Sequence, residues 1–138
     1  MKVLFVDIDG VFNREGVPLE GVFTFDETLL PLLCQIILRS GAKIVLSSTW
    51  RKSPLSRWKV EEAFQNHALE FISWTIVYDK DDRTKEIREW LDRHPQVTRY
   101  AILDNEPVAL DNLFQTDPRE GLTEALAQRI THHLTACG

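Results

Sequence analysis

Short apolar runs alternate along the chain with longer segments whose apolar residues recur every three or four positions. Five of the short runs have the length and composition of strands. They are residues 2–6, 42–46, 71–78, 100–103 and the brief segment 113–115. The first run is apolar at four consecutive positions, residues 3–6, which is typical of a strand buried on both faces of a parallel sheet.

The segments between these runs have the period of amphipathic helices. The first has apolar residues from Leu29 onward and ends at Gly41, a common helix stop. Pro31 fits its first turn, so Thr28 is predicted to be its N-cap. Three later helices are predicted: residues 54–67, the segment that contains Ile87, Trp90 and Leu91 and ends near His94, and residues 122–134, capped by Thr123 or a neighbour.

Strands that alternate with helices predict βαβ units, which build a mostly parallel central sheet with helices on both faces. The expected fold class is therefore α/β, with a three-layer α/β/α Rossmann-like architecture. Gly16, Pro18 and Gly21 separate short apolar pieces, so residues 12–25 are predicted to form a loop or a small hairpin. A length of 138 residues fits a single domain over residues 1–138.

The composition narrows the classes of function. A net charge of −5 argues against broad electrostatic binding of nucleic acid, although a local basic rim is compatible with it. Two cysteines are too few for a disulfide scaffold, so a reducing, cytoplasmic location is expected. Asp7 interrupts the N-terminal apolar run early, so neither a signal peptide nor a membrane span is expected there.

Two carboxylates, those of Asp7 and Asp9, follow the first strand. Like charges this close need compensation, and oxygen ligands completed by a third carboxylate at Asp104 suit Mg²⁺. Gly10 lets the backbone turn away, so one carboxylate can attack while the other transfers a proton. Acidic residues at a strand end are also common in solvated turns, so this pair alone does not define a site.

Three other segment ends carry groups that complement this pair. Ser47 follows the second strand, Asp104 follows the fourth, and either Arg83 or Lys85 supplies a cation at a helix start. Because the carboxyl ends of parallel strands meet at one edge of a sheet, these side chains are expected to converge near Asp7. Carboxylates, a hydroxyl and a cation suit phosphoryl transfer, since its transition state spreads negative charge over the phosphoryl oxygens.

The segment Asp7-x-Asp9-Gly10-Val11, taken with Ser47, the cation at the helix start and Asp104, resembles the four motifs of the haloacid dehalogenase (HAD) superfamily. The resemblance spans most of the chain. Residues 46–51 (Leu-Ser-Ser-Thr-Trp-Arg) and 116–123 (Thr-Asp-Pro-Arg-Glu-Gly-Leu-Thr) further resemble a HAD branch associated with Swiss Army Knife RNA-repair proteins. A single HAD-like hydrolase domain is what this resemblance implies.

The resemblance also implies a role for each motif residue. Asp7 would be the nucleophile and a Mg²⁺ ligand, and Asp9 the general acid/base that also offers its backbone carbonyl to the metal. Asp104 would bind Mg²⁺ directly or through water. Ser47 would bind phosphate, and Ser48 beside it is a further candidate for that role.

The sequence departs from the superfamily pattern in two places. Many relatives have a second acidic residue directly after the fourth-strand Asp, but here Asn105 stands there and Glu106 follows. Weaker or altered metal binding is the expected result, because an amide can still bind a metal-bound water. In the third motif the spacing favours Arg83 and the residue type favours Lys85, so both are candidates for the phosphate-binding cation.

No interval between the motifs is long enough for a large cap domain, which implies an open site that accepts bulky substrates. The expected activity is that of a phosphomonoesterase that forms an aspartyl-phosphate, with a nucleotide or a nucleic-acid end as the phosphorylated substrate. No membrane partner and no obligate protein partner is inferred. Asn105 and the missing cap also allow a non-catalytic binding or regulatory module with this fold. A phospho-acceptor receiver domain is a third alternative. Asp79, after the third strand, superficially fits its acceptor position, but the order Asp7-x-Asp9-Gly10 and Ser47 after the second strand do not fit it.

Several aromatic and charged residues have alternative interpretations. Trp50 and Arg51 could contact a leaving group at the rim, or Trp50 could pack on the next helix and Arg51 bridge a surface carboxylate. Trp58, Trp74 and Trp90 lie on apolar faces and are predicted to be core residues.

Two further charged segments also allow either a functional or a structural interpretation. Asp79, Asp81 and Asp82 form an acidic turn that is expected to be a solvated loop rather than a metal site. Arg119 lies in a turn before the last helix. It could reach the site, but a structural role is favoured.

Overall fold

The structure is a computed structural model that describes residues 1–14, 25–26 and 28–136. Its sheet has five strands: β1 (Lys2–Val6), β2 (Lys43–Leu46), β3 (Phe71–Trp74), β4 (Arg99–Asp104) and β5 (Leu113–Gln115). All four neighbouring pairs are parallel, in the order β3-β2-β1-β4-β5. This confirms the predicted α/β class and its parallel sheet, and a strand lies within or over each of the five predicted segments.

One strand is shorter than predicted. β3 ends at Trp74, whereas the β-rich composition continues to Tyr78. The carbonyls of Thr75 and Ile76 accept hydrogen bonds from the guanidinium of Arg51, at 3.0 Å each. These carbonyls are therefore bound to a side chain rather than to a neighbouring strand.

Four α-helices lie in the described part of the chain: α1 (Leu30–Ser40), α2 (Pro54–Gln65), α3 (Arg83–Asp92) and α4 (Glu124–Thr135). A 3₁₀ turn, Thr49–Lys52, precedes α2. Thr123 caps α4 as predicted, since its hydroxyl accepts a hydrogen bond from the Leu126 N–H at 3.2 Å.

Thr28 is not the N-cap of α1. Leu29 holds that position without a side-chain cap, and Thr28 lies one residue earlier. Instead, Oδ1 of Asp26 accepts hydrogen bonds from the Thr28 N–H at 3.0 Å and from its hydroxyl at 2.5 Å. Asp26 therefore stabilises the entry to α1, because an aspartate can bind the backbone two residues further on.

The two faces of the sheet bury separate cores, as a three-layer arrangement requires. Leu4 and Val6 of β1 pack in one core with apolar residues of α1, α2 and α4. Val3 and Phe5 point to the opposite face, where the core contains Trp90 of α3. Alternate residues of a strand face opposite sides of a sheet, so β1 contributes to both cores.

The strand order reverses at β1. From β1 the chain passes through α1 to β2 and through α2 to β3, but α3 then carries it back across the sheet to β4. In open α/β sheets a crevice forms at such a reversal, at the carboxyl ends of the strands. Asp7 follows β1 and Asp104 ends β4, so both lie at this crevice.

Two of the three predicted core tryptophans are exposed. Trp90 is buried as predicted, but Trp58 and Trp74 are 54% and 44% exposed. α2 buries Val60 and Phe64 instead, and Trp74 lies on the edge strand with the Arg57 guanidinium 4.4 Å from its ring centroid.

Most of the predicted loop or hairpin, including Gly16, Pro18 and Gly21, lies outside the described residues. No cap domain is present among the residues that are described. None of the described helices is long and apolar enough to cross a membrane.

Candidate active site

Asp7 and Asp104 lie side by side at the crevice, and Arg83 contacts both. Asp7 leaves β1 with its N–H donating to the Leu103 carbonyl at 2.9 Å. Asp7 is only 4% exposed, and Asp104 is fully buried. Arg83, the first residue of α3, donates through Nη1 to Oδ2 of Asp104 and lies 3.6 Å from Oδ1 of Asp7.

This trio carries an excess of negative charge. Burial, together with the nearby charge of Asp104, raises the pKa of Asp7 to about 7, while the Arg83 guanidinium acts in the opposite direction. One guanidinium therefore does not fully compensate two buried carboxylates. A divalent cation bound by these oxygens would supply the missing positive charge, so the residues present fit Mg²⁺.

Asn105 contacts two of the oxygens that such a cation would need. With its amide nitrogen facing the acceptors, it donates to Oδ2 of Asp7 at 2.9 Å and to the Asp9 carbonyl at 3.1 Å. Gly10 makes this approach possible, because it has a φ of +75° and a Cβ there would lie 2.9 Å from the Cβ of Asn105. The two acceptor oxygens therefore face a common point.

The structure does not bring three carboxylates together at this point. Among the described residues no group of three or more His, Cys, Asp or Glu side chains could hold a metal ion. Oδ1 of Asp9 instead accepts hydrogen bonds from Asn13 at 2.9 Å and from the Trp50 indole at 3.1 Å. The oxygens that a cation would use are thus those of the Asp7 and Asp104 carboxylates and the backbone carbonyl of Asp9. In the structure Asp104 accepts hydrogen bonds from Arg83 and from the Glu106 N–H.

Ser47 offers an unsatisfied hydroxyl next to Asp7. It directly follows β2, and its N–H donates to the Val6 carbonyl at 3.0 Å, so Ser47 and Asp7 leave neighbouring strands at the same level. Ser47 is fully buried, and its hydroxyl has no hydrogen-bond partner among the described residues. An unmet buried polar group costs about 1–3 kcal/mol, so a phosphate oxygen would be a favourable partner.

The other two candidates for phosphate binding have different surroundings. The Ser48 hydroxyl accepts a hydrogen bond from the Trp50 N–H at 3.2 Å and caps the 3₁₀ turn. Lys85 is exposed, and its ammonium lies 4.4 Å from the centroid of the Tyr78 ring. Arg83 thus lies against Asp7 and Asp104, whereas Lys85 points from the first turn of α3 towards Tyr78.

Arg51 is a residue whose place the sequence did not reveal. It is neither at the rim nor paired with a surface carboxylate, because it is 1% exposed and lies 2.8 Å from the buried carboxylate of Glu86. It also donates to the Ser48 carbonyl at 2.8 Å. Glu86 lies one turn after Arg83 in α3, so Arg51 connects the end of β2 to the helix that carries Arg83.

The turn before α4 supports the loop that follows β1. The Thr116 hydroxyl donates to the Gly10 carbonyl at 2.8 Å, and the Leu122 N–H donates to the Val11 carbonyl at 2.9 Å. Gly121 has a φ of +66°, and a Cβ there would lie 2.7 Å from the Val11 carbonyl. Residues 116–123 therefore have a structural role in shaping the segment that contains Asp7 and Asp9.

Two expectations about charged residues agree with the structure. In the acidic turn, Asp81 pairs with Lys52 at 2.6 Å, and Asp82 caps α3 by accepting from the Lys85 N–H at 3.1 Å. Arg119 has a 78% exposed side chain and lies 3.5 Å from Asp117. Neither feature contributes a group to the site.

A family model described as "HAD domain in Swiss Army Knife RNA repair proteins" matches residues 3–127. A search of curated proteins and a search of solved structures each gave no match. The matched region runs from β1 into α4 and includes Asp7, Ser47, Arg83 and Asp104. The chain therefore belongs to the HAD superfamily, in the branch of HAD domains found in Swiss Army Knife RNA-repair proteins.

Proposed function

We propose that this protein is a Mg²⁺-dependent phosphomonoesterase in which Asp7 forms an aspartyl-phosphate. The observation that carries the proposal is the setting of Asp7, a buried carboxylate with Arg83 and Asp104 beside it and an unsatisfied Ser47 hydroxyl on the neighbouring strand. Membership of the HAD superfamily supports the same class of reaction.

The reaction would have two steps, and each balances its protons. A carboxylate oxygen of Asp7 forms a bond to phosphorus while the bond to the leaving oxygen breaks, and Asp9 gives that oxygen a proton. Asp9 then takes a proton from a water molecule that attacks the phosphorus. The bond to Asp7 breaks, phosphate leaves, and both carboxylates return to their starting states.

The other residues of the site would stabilise charge. The hydroxyl and N–H groups near Ser47 can donate to phosphoryl oxygens, and Arg83 supplies a fixed positive charge next to Asp7. Mg²⁺ held by Asp7, the Asp9 carbonyl and Asp104 would neutralise negative charge on the phosphoryl group.

A cleft beside Trp50 supports a nucleotide or a nucleic-acid end as the substrate. Its volume is about 250 Å³, and its lining includes the Trp50 ring, the 63% exposed Leu55 and Lys59. An aromatic ring, an apolar side chain and a cation together suit a base and the phosphate next to it. The printed family description, which names RNA repair, agrees with this choice.

The direct test measures phosphate release from a 5′-phosphorylated RNA oligonucleotide and from an aryl phosphate, with Mg²⁺ or with EDTA. We expect Mg²⁺-dependent turnover that Asp7→Asn lowers on the order of 10³-fold or more. Asp79→Asn removes an exposed carboxylate of the acidic turn and should leave the rate unchanged. Equal rates for wild type and Asp7→Asn would contradict the proposed mechanism.

A non-catalytic binding module is the second candidate, and Asn105 is the observation that favours it. Its amide donates to Asp7 and to the Asp9 carbonyl, which are two of the three oxygens assigned to the cation. On this alternative, neither ester is hydrolysed with Mg²⁺, and Asp7→Asn binds a phosphorylated oligonucleotide as tightly as wild type does.

A further inference from the structure

The carboxylate of Asp9 is fixed through one of its oxygens. Oδ1 accepts hydrogen bonds from the Asn13 amide at 2.9 Å and from the Trp50 indole N–H at 3.1 Å. No described residue donates to Oδ2. In the described part of the chain, Oδ1 of Asp9 is thus bound by two N–H donors and Oδ2 by none.

Both donors are themselves held in place. Asn13 accepts a hydrogen bond from the Gly10 N–H through Oδ1 at 2.9 Å, which orients its amide towards Asp9. The Trp50 ring packs on Phe25 with ring centroids 5.1 Å apart. The Ser48 hydroxyl accepts a hydrogen bond from the backbone N–H of Trp50. Trp50 is therefore held both at its backbone and at its ring.

The Trp50 contact joins two motifs that are distant in sequence. Asp9 lies after β1 and Trp50 in the turn after β2, and 41 residues separate them. Because Asp9 is exposed, its carboxylate would otherwise rotate freely in solvent. Packing of Trp50 against α2 alone would not account for an indole N–H that points at the Asp9 carboxylate.

We propose that Trp50 is a positioning residue for proton transfer. It holds Oδ1 of Asp9, together with Asn13, so that Oδ2 gives the proton to the leaving oxygen as the bond from that oxygen to phosphorus breaks. This inference rests on the proposed function, because it gives Asp9 the role of acid. Trp50 itself touches no reacting atom in this role.

The test uses two esters that differ in their need for a proton. The alcohol of an alkyl phosphate, such as the 5′ end of an oligonucleotide, leaves as an unstable alkoxide unless its oxygen is protonated. From p-nitrophenyl phosphate the leaving group is p-nitrophenolate, a stable anion. Trp50→Phe keeps a ring next to Phe25 and deletes only the N–H donor. We expect it to lower kcat for the alkyl phosphate about tenfold to a hundredfold more than it lowers kcat for the aryl ester.

Three further variants sharpen the comparison. Asp9→Asn should show the same selectivity for the alkyl ester with a larger loss, and Asn13→Ala should show it with a smaller one. Trp58→Phe, at an exposed tryptophan of α2, is the matched control and should change neither rate. An equal loss on both esters in Trp50→Phe, or no loss on either, would overturn the inference.

A second measurement separates this inference from the proposed function. The indole N–H of Trp50 gives its own signal in a ¹⁵N-correlated NMR spectrum, and we expect Asp9→Asn to shift that signal and Asp79→Asn to leave it in place. A signal that Asp9→Asn does not move overturns the inference whatever the activity. A wild-type protein that hydrolyses neither ester contradicts the proposed function and, with it, any role of Trp50 in proton transfer.

Discussion

Arg51 and Glu86 form an ion pair at 2.8 Å, with side chains that are 1% and 2% exposed. Both charged groups are buried, so the attraction between them is weakly screened by solvent. Three backbone carbonyls, those of Ser48, Thr75 and Ile76, also accept from the same guanidinium. The pair thereby joins the end of β2 to α3, one turn after Arg83.

Removing Glu86 should destabilise the protein strongly. Glu86→Ala leaves the Arg51 guanidinium buried without its counter-charge, which costs about 3–5 kcal/mol in comparable pairs. We expect a fall of this size in the free energy of unfolding, measured by urea denaturation. Asp81→Ala breaks an exposed pair with Lys52 and should change stability far less. Similar losses of unfolding free energy in the two variants would contradict the expectation that the buried pair contributes more to stability than the exposed pair.

Mg²⁺ should stabilise the wild-type protein in a saturable way, because it would bind the folded state and not the unfolded chain. Asp104→Asn removes a ligand carboxylate and should abolish the rise in Tm on adding Mg²⁺. Asp9→Asn should retain it, because Asp9 is assigned a backbone carbonyl as ligand while its carboxylate binds Asn13 and Trp50. Loss of the Mg²⁺ effect in Asp9→Asn but not in Asp104→Asn would reverse these assignments.

Asn105→Asp should strengthen Mg²⁺ binding and weaken the metal-free protein. The amide donates to Asp7 and to the Asp9 carbonyl, and a carboxylate there would repel Asp7 until a cation binds. We expect about a tenfold to hundredfold lower Kd for Mg²⁺ in a calorimetric titration, together with a lower Tm in EDTA. Asn66→Asp, outside the site at the end of α2, is the control.

The stability of the protein at acidic pH should depend on Asp26. Burial acts to raise the pKa of this carboxyl, but hydrogen bonds from Thr28 and the Arg14 guanidinium outweigh it and hold the pKa below its ordinary value of 3.8. A lowered pKa in the folded state stabilises the protein above pH 3.8, and that stabilisation disappears as the pH falls through the folded value. Asp26→Asn should therefore be less stable than wild type at pH 7, and the difference should shrink towards pH 3 in urea titrations. A difference that is constant with pH would contradict this.

The strand ends could be predicted from the sequence because two general rules place them. Apolar runs mark the strands, and parallel strands bring their carboxyl ends to one edge of the sheet. These rules are enough to place Asp7, Ser47 and Asp104 at one crevice. Which of Arg83 and Lys85 faces the crevice could not be predicted, since both lie in the first turn of one helix and the direction of each depends on how α3 packs.

Contacts between side chains of different elements could not be predicted from the sequence. The hydrogen bond from Trp50 to Asp9 depends on the 3₁₀ turn after β2, and no local pattern encodes it. From the sequence, Arg51 is expected at the rim or on the surface, because its buried partner, Glu86, belongs to another element. Apolar spacing alone predicts Trp58 and Trp74 to be core residues. It does not show which face of a helix or of an edge strand packs against the rest of the protein.

The main-chain hydrogen bonds at the crevice have a thermodynamic consequence. The N–H groups of Asp7, Ser47 and Thr116 donate to Leu103, Val6 and Asp104, at 2.9, 3.0 and 2.9 Å, so the sheet ladder continues through the residues of the site. Such amides exchange with solvent only when the surrounding structure unfolds. Binding a substrate would then require no ordering of the backbone at these three residues, so they would add no entropic penalty to its affinity.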